Sequence, residues 1–112
     1  PLSLHDALPI FEGVDIVAGD YLAISRYMPP RMEGKIVITN TITMQNVQEL
    51  KDSGAKYLIT TTPQFEGRSF GTNIYQATLV AVSGKKPEEL TGQDYLNLAK
   101  KSGFKPRIEQ LN

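Results

Sequence analysis

The stretch Lys35–Thr60, KIVITNTITMQNVQELKDSGAKYLIT, decides the fold class. It opens with Lys35–Thr39, a β-branched run, and closes with Lys56–Thr60, an apolar run, and both predict strands. Between them the sequence predicts a helix over residues 44–53, because Thr43 is a good N-cap and a glycine follows the last turn. The apolar residues of that helix recur at three-residue spacing, as Met44, Val47 and Leu50.

The same alternation of strand and helix extends to both sides of this stretch. Upstream, Val14–Ala18 predicts a short buried strand, and Tyr21–Met28 predicts a helix that the two following prolines end. Downstream, Thr61–Gly71 predicts a polar loop. The remaining predicted elements are a helix over Thr72–Ser83, a short helical turn at Pro87, a helix over Gln93–Ser102 and a strand over Arg107–Leu111.

This order predicts an α/β fold, namely a Rossmann-like domain with three or more parallel strands and flanking helices. Since the strands are apolar runs rather than alternating patterns, we expect both faces of the sheet to be buried. The helix over Thr72–Ser83 is apolar around much of its circumference, so we expect it to be covered on more than one side.

The predicted sheet is incomplete, because three strands with open edges do not form a whole layer. We therefore expect the C-terminal half of a doubly wound sheet, completed by an upstream part of the same chain. Produced alone, this piece is expected to be poorly soluble or to associate, for instance as a homo-oligomer.

Composition excludes several classes of function. The chain has 112 residues, which is at most one domain, with 12 basic and 12 acidic side chains and no net charge. A chain with no net charge lacks the excess of basic residues that is typical of proteins that bind nucleic acid or an anionic membrane. The absence of Cys excludes a disulfide framework and thiolate metal sites. No apolar run approaches the ~20 residues that a membrane helix needs. We therefore expect a cytoplasmic globular protein.

The first ten residues, PLSLHDALPI, are expected not to be native protein. Leu2 to Ile10 back-translate without mismatch to CTT TCC CTA CAC GAC GCT CTT CCG ATC, which matches a common short-read sequencing adapter. The alternative is a short amphipathic helix formed by the same residues. On the adapter interpretation the native domain covers residues 11–112. It then lacks His5 and Asp6, and it keeps 12 basic against 11 acidic side chains and no histidine.

Polar side chains follow each of the three predicted parallel strands. The strand ends read Gly19-Asp20, Thr39-Asn40-Thr41 and Thr60-Thr61-Thr62. Ligands bind outside the carboxyl ends of open parallel sheets, and hydroxyl, amide and carboxylate groups suit a polyhydroxylated or phosphorylated ligand. The alternative is that the threonines cap helices or favour strands, and that Asp20 is a helix N-cap rather than a hydroxyl acceptor or base.

The most distinctive segment is Glu66–Asn73, EGRSFGTN, directly ahead of a predicted helix. Free backbone N–H groups and the helix dipole there favour an anion, which Arg68 would clamp. Alternatively, it is an ordinary loop in which Thr72 or Asn73 is the N-cap and Arg68 is solvated. No dinucleotide fingerprint or Walker motif is present. The predicted ligand- or cofactor-binding residues are Asp20, Asn40, Thr61, Arg68, Ser69 and Asn73, with no metal ligand and no assigned catalytic residue.

Several blocks carry a resemblance to a known family. They read DIVAGDY, RYMP, GKIVITNTIT, YLITTTPQFEGRSFGTN and KKPEELTGQDYLNLAKKSGFKPRIEQLN, and together they span Phe11–Asn112. In these blocks the chain resembles the C-terminal part of bacterial proteins labelled quinate 5-dehydrogenase, or shikimate/quinate dehydrogenase-like. The block EGRSFGTN is the most specific part of the resemblance.

The resemblance implies an oxidoreductase that uses NAD or NADP to interconvert a ring hydroxyl of a cyclic polyol acid with a ketone. Shikimate dehydrogenases place a catalytic Lys–Asp pair in an N-terminal domain and a glycine-rich phosphate loop at the start of the nucleotide domain. Residues 11–112 show neither feature, so no catalytic residue carries over. The alternatives are a non-catalytic Rossmann-like domain that binds a phosphorylated or nucleotide ligand, and a structural half-domain used in subunit packing.

Overall fold

A computed structural model describes residues 9–112. Its strands are β1 (Ile16–Ala18), β2 (Ile36–Thr39), β3 (Tyr57–Thr60), β4 (Gln64–Phe65), β5 (Arg68–Ser69) and β6 (Arg107–Gln110). Its longer helices are α1 (Tyr21–Tyr27), α2 (Met44–Asp52), α3 (Thr72–Ser83) and α4 (Gly92–Lys101). Most of the predicted adapter-derived segment, residues 1–8, lies outside the described residues.

The centre of the described chain is a four-stranded sheet in the order β1-β2-β3-β6. The first three strands run parallel, so the prediction of a mostly parallel α/β sheet with flanking helices is confirmed. The last strand, β6, pairs antiparallel with β3. A single crossover helix brings the next strand into the sheet parallel to the strand before it. Two successive helices, α3 and α4, connect β3 to β6, and β6 enters the sheet in the opposite direction.

One face of the sheet carries the core. Val37 of β2 and Leu58 of β3 are fully buried there and belong to one apolar cluster with Ile24 of α1 and Leu50 of α2. The helix α2 forms as predicted, because Thr43 and Asn46 close a capping box at its start. Gly54 follows it with φ +89°, a backbone conformation that favours glycine.

The other face of the sheet is open in the part of the chain that the structure describes. The strand register places Ala18, Ile38, Ile59 and Ile108 in one row across it. Ile108 is 72% exposed. The prediction of two buried faces is therefore wrong for residues 9–112, because α1 and α2 share the core while α3 and α4 pack on each other.

The helix α3 and the loop before it also differ from the predictions. In α3 only Leu79 is buried, and the stripe Ile74, Ala77, Thr78, Ala81 and Val82 is exposed, so the expected cover on several sides is not found among the described residues. The predicted loop contains a hairpin, β4–β5. Its two-residue turn is Glu66-Gly67, with φ +49° and +82°, the left-handed conformations that tight hairpins require.

Candidate functional site

A crevice of about 310 Å³ lies where β1 and β2 end and α3 begins. It is lined by Asp20, Asn40, Thr41, Gly71, Thr72, Asn73 and Ile74. The carboxyl ends of parallel strands are the usual place for a ligand in an open α/β sheet. The volume lies at the lower end of the range for ligand pockets, about 300–1,000 Å³.

The start of α3 forms one wall of the crevice. Gly71 occupies the N-cap position, and no side chain caps the helix. The first backbone N–H groups of a helix have no partner within it, and the helix dipole makes this end positive. The first turn of α3 carries no acidic side chain to offset that field. This wall therefore offers donors and a positive potential to an anion.

The other wall comes from the ends of β1 and β2. Asp20 precedes α1, but its side chain makes no capping hydrogen bond, so the carboxylate is free to accept from a ligand hydroxyl. Asn40 Oδ1 accepts from the backbone N–H of Thr41 at 2.7 Å, which leaves its side-chain N–H groups as donors. This wall therefore supplies both an acceptor and donors to a polyol.

Two contacts hold the walls against each other. A Cβ at Gly71 would lie 2.9 Å from Thr41 Oγ1, so the absence of a side chain permits the close approach of α3 to the end of β2. The buried Thr62 hydroxyl lies 2.9 Å from the carbonyl oxygen of Asn40 and 2.5 Å from that of Phe70. Thr62 therefore connects the two segments that form the crevice.

Thr39, directly before Asn40 at the carboxyl end of β2, carries a hydroxyl group that can still form a hydrogen bond. Thr39 is 3% exposed. Its Oγ1 has no hydrogen-bond partner among residues 9–112. Leaving a buried polar group unpaired costs about 1–3 kcal/mol.

Of the six predicted site residues, the crevice brings together Asp20, Asn40 and Asn73. Thr61 and Arg68 lie outside its lining. Thr61 is exposed, and its backbone N–H bonds to the carbonyl oxygen of Thr39 at 3.0 Å. Arg68 is exposed on β5, and its guanidinium lies 5.0 Å from the ring centroid of Phe70 rather than in the crevice.

Ser69, the remaining predicted site residue, is part of a buried hydrogen-bond network. It is 1% exposed, and its hydroxyl lies 3.0 Å from that of Thr60. Arg107, also buried, donates to the carbonyl oxygen of Gly67 at 3.1 Å and to Glu109 Oε2 at 2.6 Å. Arg107 was not among the predicted site residues, because the predicted strand RIEQL is largely polar and gives no sign that its first side chain is buried. The network fixes the hairpin that positions Gly71.

The lining of the crevice holds one acidic side chain and no second titratable group among the described residues. That acidic side chain is Asp20, which can accept hydrogen bonds. Within residues 9–112 no group of three or more His, Cys, Asp or Glu is placed to hold a metal ion. No helix in this part of the chain has the length and apolar character needed to cross a membrane.

A known family of protein domains covers almost the whole of this chain. A family model described as a domain of unknown function (DUF8754) matches residues 4–111, which include the sheet, the hairpin and both walls of the crevice. The chain belongs to this family. No curated protein and no solved structure matches it. Membership in DUF8754 thus groups the chain with its relatives without assigning an activity.

Proposed function

We propose that this chain is part of a Rossmann-like domain that binds a phosphorylated or nucleotide ligand, with NAD and NADP as the leading candidates. The observation that carries the proposal is the crevice at the carboxyl ends of β1 and β2. It combines an uncapped helix start with a free carboxylate and two side-chain amides. Phosphate suits the first feature and ribose hydroxyls suit the others.

The residues present fit one part of a dinucleotide better than the whole of it. The N–H groups at Gly71–Asn73 would hold a phosphate, and Asp20 would accept from a ribose hydroxyl. A volume of about 310 Å³ accommodates such a fragment. No glycine-rich turn of the dinucleotide fingerprint occurs in the sequence, so a second phosphate has no evident site here.

A second candidate function is an NAD(P)-dependent oxidoreductase acting on a cyclic polyol acid of the quinate or shikimate type. The observation in its favour is that EGRSFGTN, the most specific block of the dehydrogenase resemblance, supplies Gly71–Asn73 of the crevice. When bound, the nicotinamide would supply the hydride acceptor. The residues described here would bind and orient it.

Calorimetric titration with NAD, NADP, AMP and inorganic phosphate tests the binding proposal. We expect at least one nucleotide to bind, and Asn73→Ala to weaken it by about fivefold, because the variant keeps the backbone N–H and loses one hydrogen bond between neutral groups, worth about 1 kcal/mol. Asn97→Ala, an exposed change on α4, is the matched control and should leave affinity unchanged. No binding at millimolar concentration would overturn the proposal.

Absorbance of the reduced nicotinamide separates the two candidates. Quinate- or shikimate-dependent reduction of a bound cofactor would establish the oxidoreductase. Binding without turnover of either acid would favour the non-catalytic binding domain.

A further inference from the structure

A second and larger cavity, of about 460 Å³, lies between the hairpin β4–β5 and the helix pair α3–α4. Three of the four phenylalanines in the sequence line it, together with one tyrosine. These aromatic residues are Phe65, Phe70, Tyr75 and Phe104. The cavity shares no lining residue with the crevice.

The inner wall of this cavity is already organised. The rings of Tyr75 and Phe104 meet edge to face with centroids 5.1 Å apart. The Tyr75 hydroxyl lies 3.1 Å from the hydroxyl of Ser102 at the end of α4. Leu79, the buried residue of α3, completes the wall. A ligand would therefore meet a preformed surface.

The outer part of the cavity is open and apolar. Phe65 is 63% exposed and Val82 is 71% exposed. Removing such apolar surface from water favours association, and a pocket of this size and lining is typical of small-molecule sites. The structure thus favours an apolar ring as the part of the ligand that enters.

The charge beside the cavity restricts the ligand further. No charged side chain lines the cavity. The guanidinium of Arg68 lies 5.0 Å from the ring centroid of Phe70, which is part of the wall. An exposed cation next to an apolar pocket suits a ligand with an apolar ring and an acid group at its mouth.

We propose that this cavity binds an aromatic carboxylate, with the ring against Phe70, Tyr75 and Phe104 and the carboxylate facing Arg68. The site is separate from the nucleotide crevice, so each can be tested without the other. Residues Phe70–Tyr75 connect the two.

Amide chemical-shift mapping of the full chain with 4-phenylbutyrate tests this proposal, with 4-phenylbutanol as the neutral probe. We expect saturable shifts at Phe70, Tyr75 and Phe104. Arg68→Met should weaken the carboxylate about tenfold and leave the alcohol unchanged, since only the charge is lost. Arg31→Met, a change at another exposed arginine, should affect neither probe.

Two results would overturn the proposal. One is a set of shifts on the open sheet face around Ile38 and Ile108 with none at the aromatic cavity, which would show non-specific apolar binding. The other is an unchanged carboxylate affinity in Arg68→Met. Failure of the nucleotide titration would leave this site unaffected.

Discussion

Arg107 shows how one buried residue determines the shape of the loop before α3. Its guanidinium contacts Glu109, the carbonyl oxygen of Gly67 and, at 3.5 Å, the hydroxyl of Ser69. The side chain is 3% exposed. Without it, the Gly67 carbonyl and the buried hydroxyl of Ser69 lose a charged donor.

We expect Arg107→Met to lower the free energy of unfolding by about 2 kcal/mol, the order of hydrogen bonds lost from a charged donor, since water can solvate the exposed carboxylate of Glu109 in the variant. Urea denaturation followed by circular dichroism measures this loss. Arg31→Met is the control, because the Arg31–Glu33 pair is exposed and such pairs contribute about 0–1 kcal/mol. Equal losses in the two variants would show that the hairpin does not depend on Arg107.

Because of Tyr21, we expect the stability of the folded chain to depend on pH in the alkaline range. Burial, and then the carboxylate of Glu49 at 3.2 Å, raise the pKa of the Tyr21 phenol above its ordinary value of 10.0. A group with a raised pKa contributes stability that is present below its unfolded pKa and is lost as the pH rises towards its folded pKa. Unfolding should therefore become easier above pH 10.0.

An ultraviolet titration of phenolate formation checks this expectation. Tyr21 should ionise above its ordinary pKa of 10.0, and Tyr21→Phe should remove that late step. Ionisation of Tyr21 at its ordinary pKa of 10.0 would contradict it.

Among the helices, the sequence predicts those boundaries that residues next to the helix end determine. Thr43 starts α2, Gly54 and Gly84 follow helix ends, and two prolines end α1, so those boundaries fall within one or two residues of the prediction. Elements that depend on distant contacts were not predicted. The hairpin β4–β5 relies on Arg107, about 40 residues further along the chain, and on an Ile42–Ser69 bridge.

The two helix-ending glycines offer a matched test of local backbone and packing. Gly54 and Gly84 both have positive φ. A Cβ at Gly84 meets nothing within 4 Å, whereas one at Gly54 would lie 2.7 Å from Glu33 Cγ and 3.3 Å from its Cα.

We expect Gly84→Ala to cost about 1 kcal/mol from backbone strain alone. Gly54→Ala should cost at least about 1 kcal/mol more, the order of an overpacked contact. Thermal and urea unfolding measure both values. A similar cost in both variants would mean that the segment around Glu33 moves aside freely.

At the scale of the whole molecule, the open sheet face is the main departure from the predicted two-sided packing. Apolar strands predicted burial on both faces, yet residues 9–112 cover only one. The apolar residues of a strand indicate that the strand suits an apolar environment, but they do not show which element packs on each face.

The candidate site was also predicted only in part. Asp20, Asn40 and Asn73 were predicted from strand ends and a helix start, whereas the hydrogen bonds of Thr62 became visible only in the three-dimensional structure.

We expect the chain to associate in a concentration-dependent manner through this open face. Light scattering coupled to size exclusion measures the mass. Ile108→Asp, at a side chain 72% exposed on β6, should reduce association, while Leu22→Asp, at a side chain 79% exposed on α1, should not. A monomer at all concentrations would show that the exposed face does not drive association.

Amide chemical-shift mapping with AMP tests whether the carboxyl edge of the sheet binds a phosphorylated ligand. We expect saturable shifts at Asn40, Thr41 and Gly71–Ile74, which line the crevice. Shifts confined to other parts of the chain, or none at millimolar AMP, would contradict it.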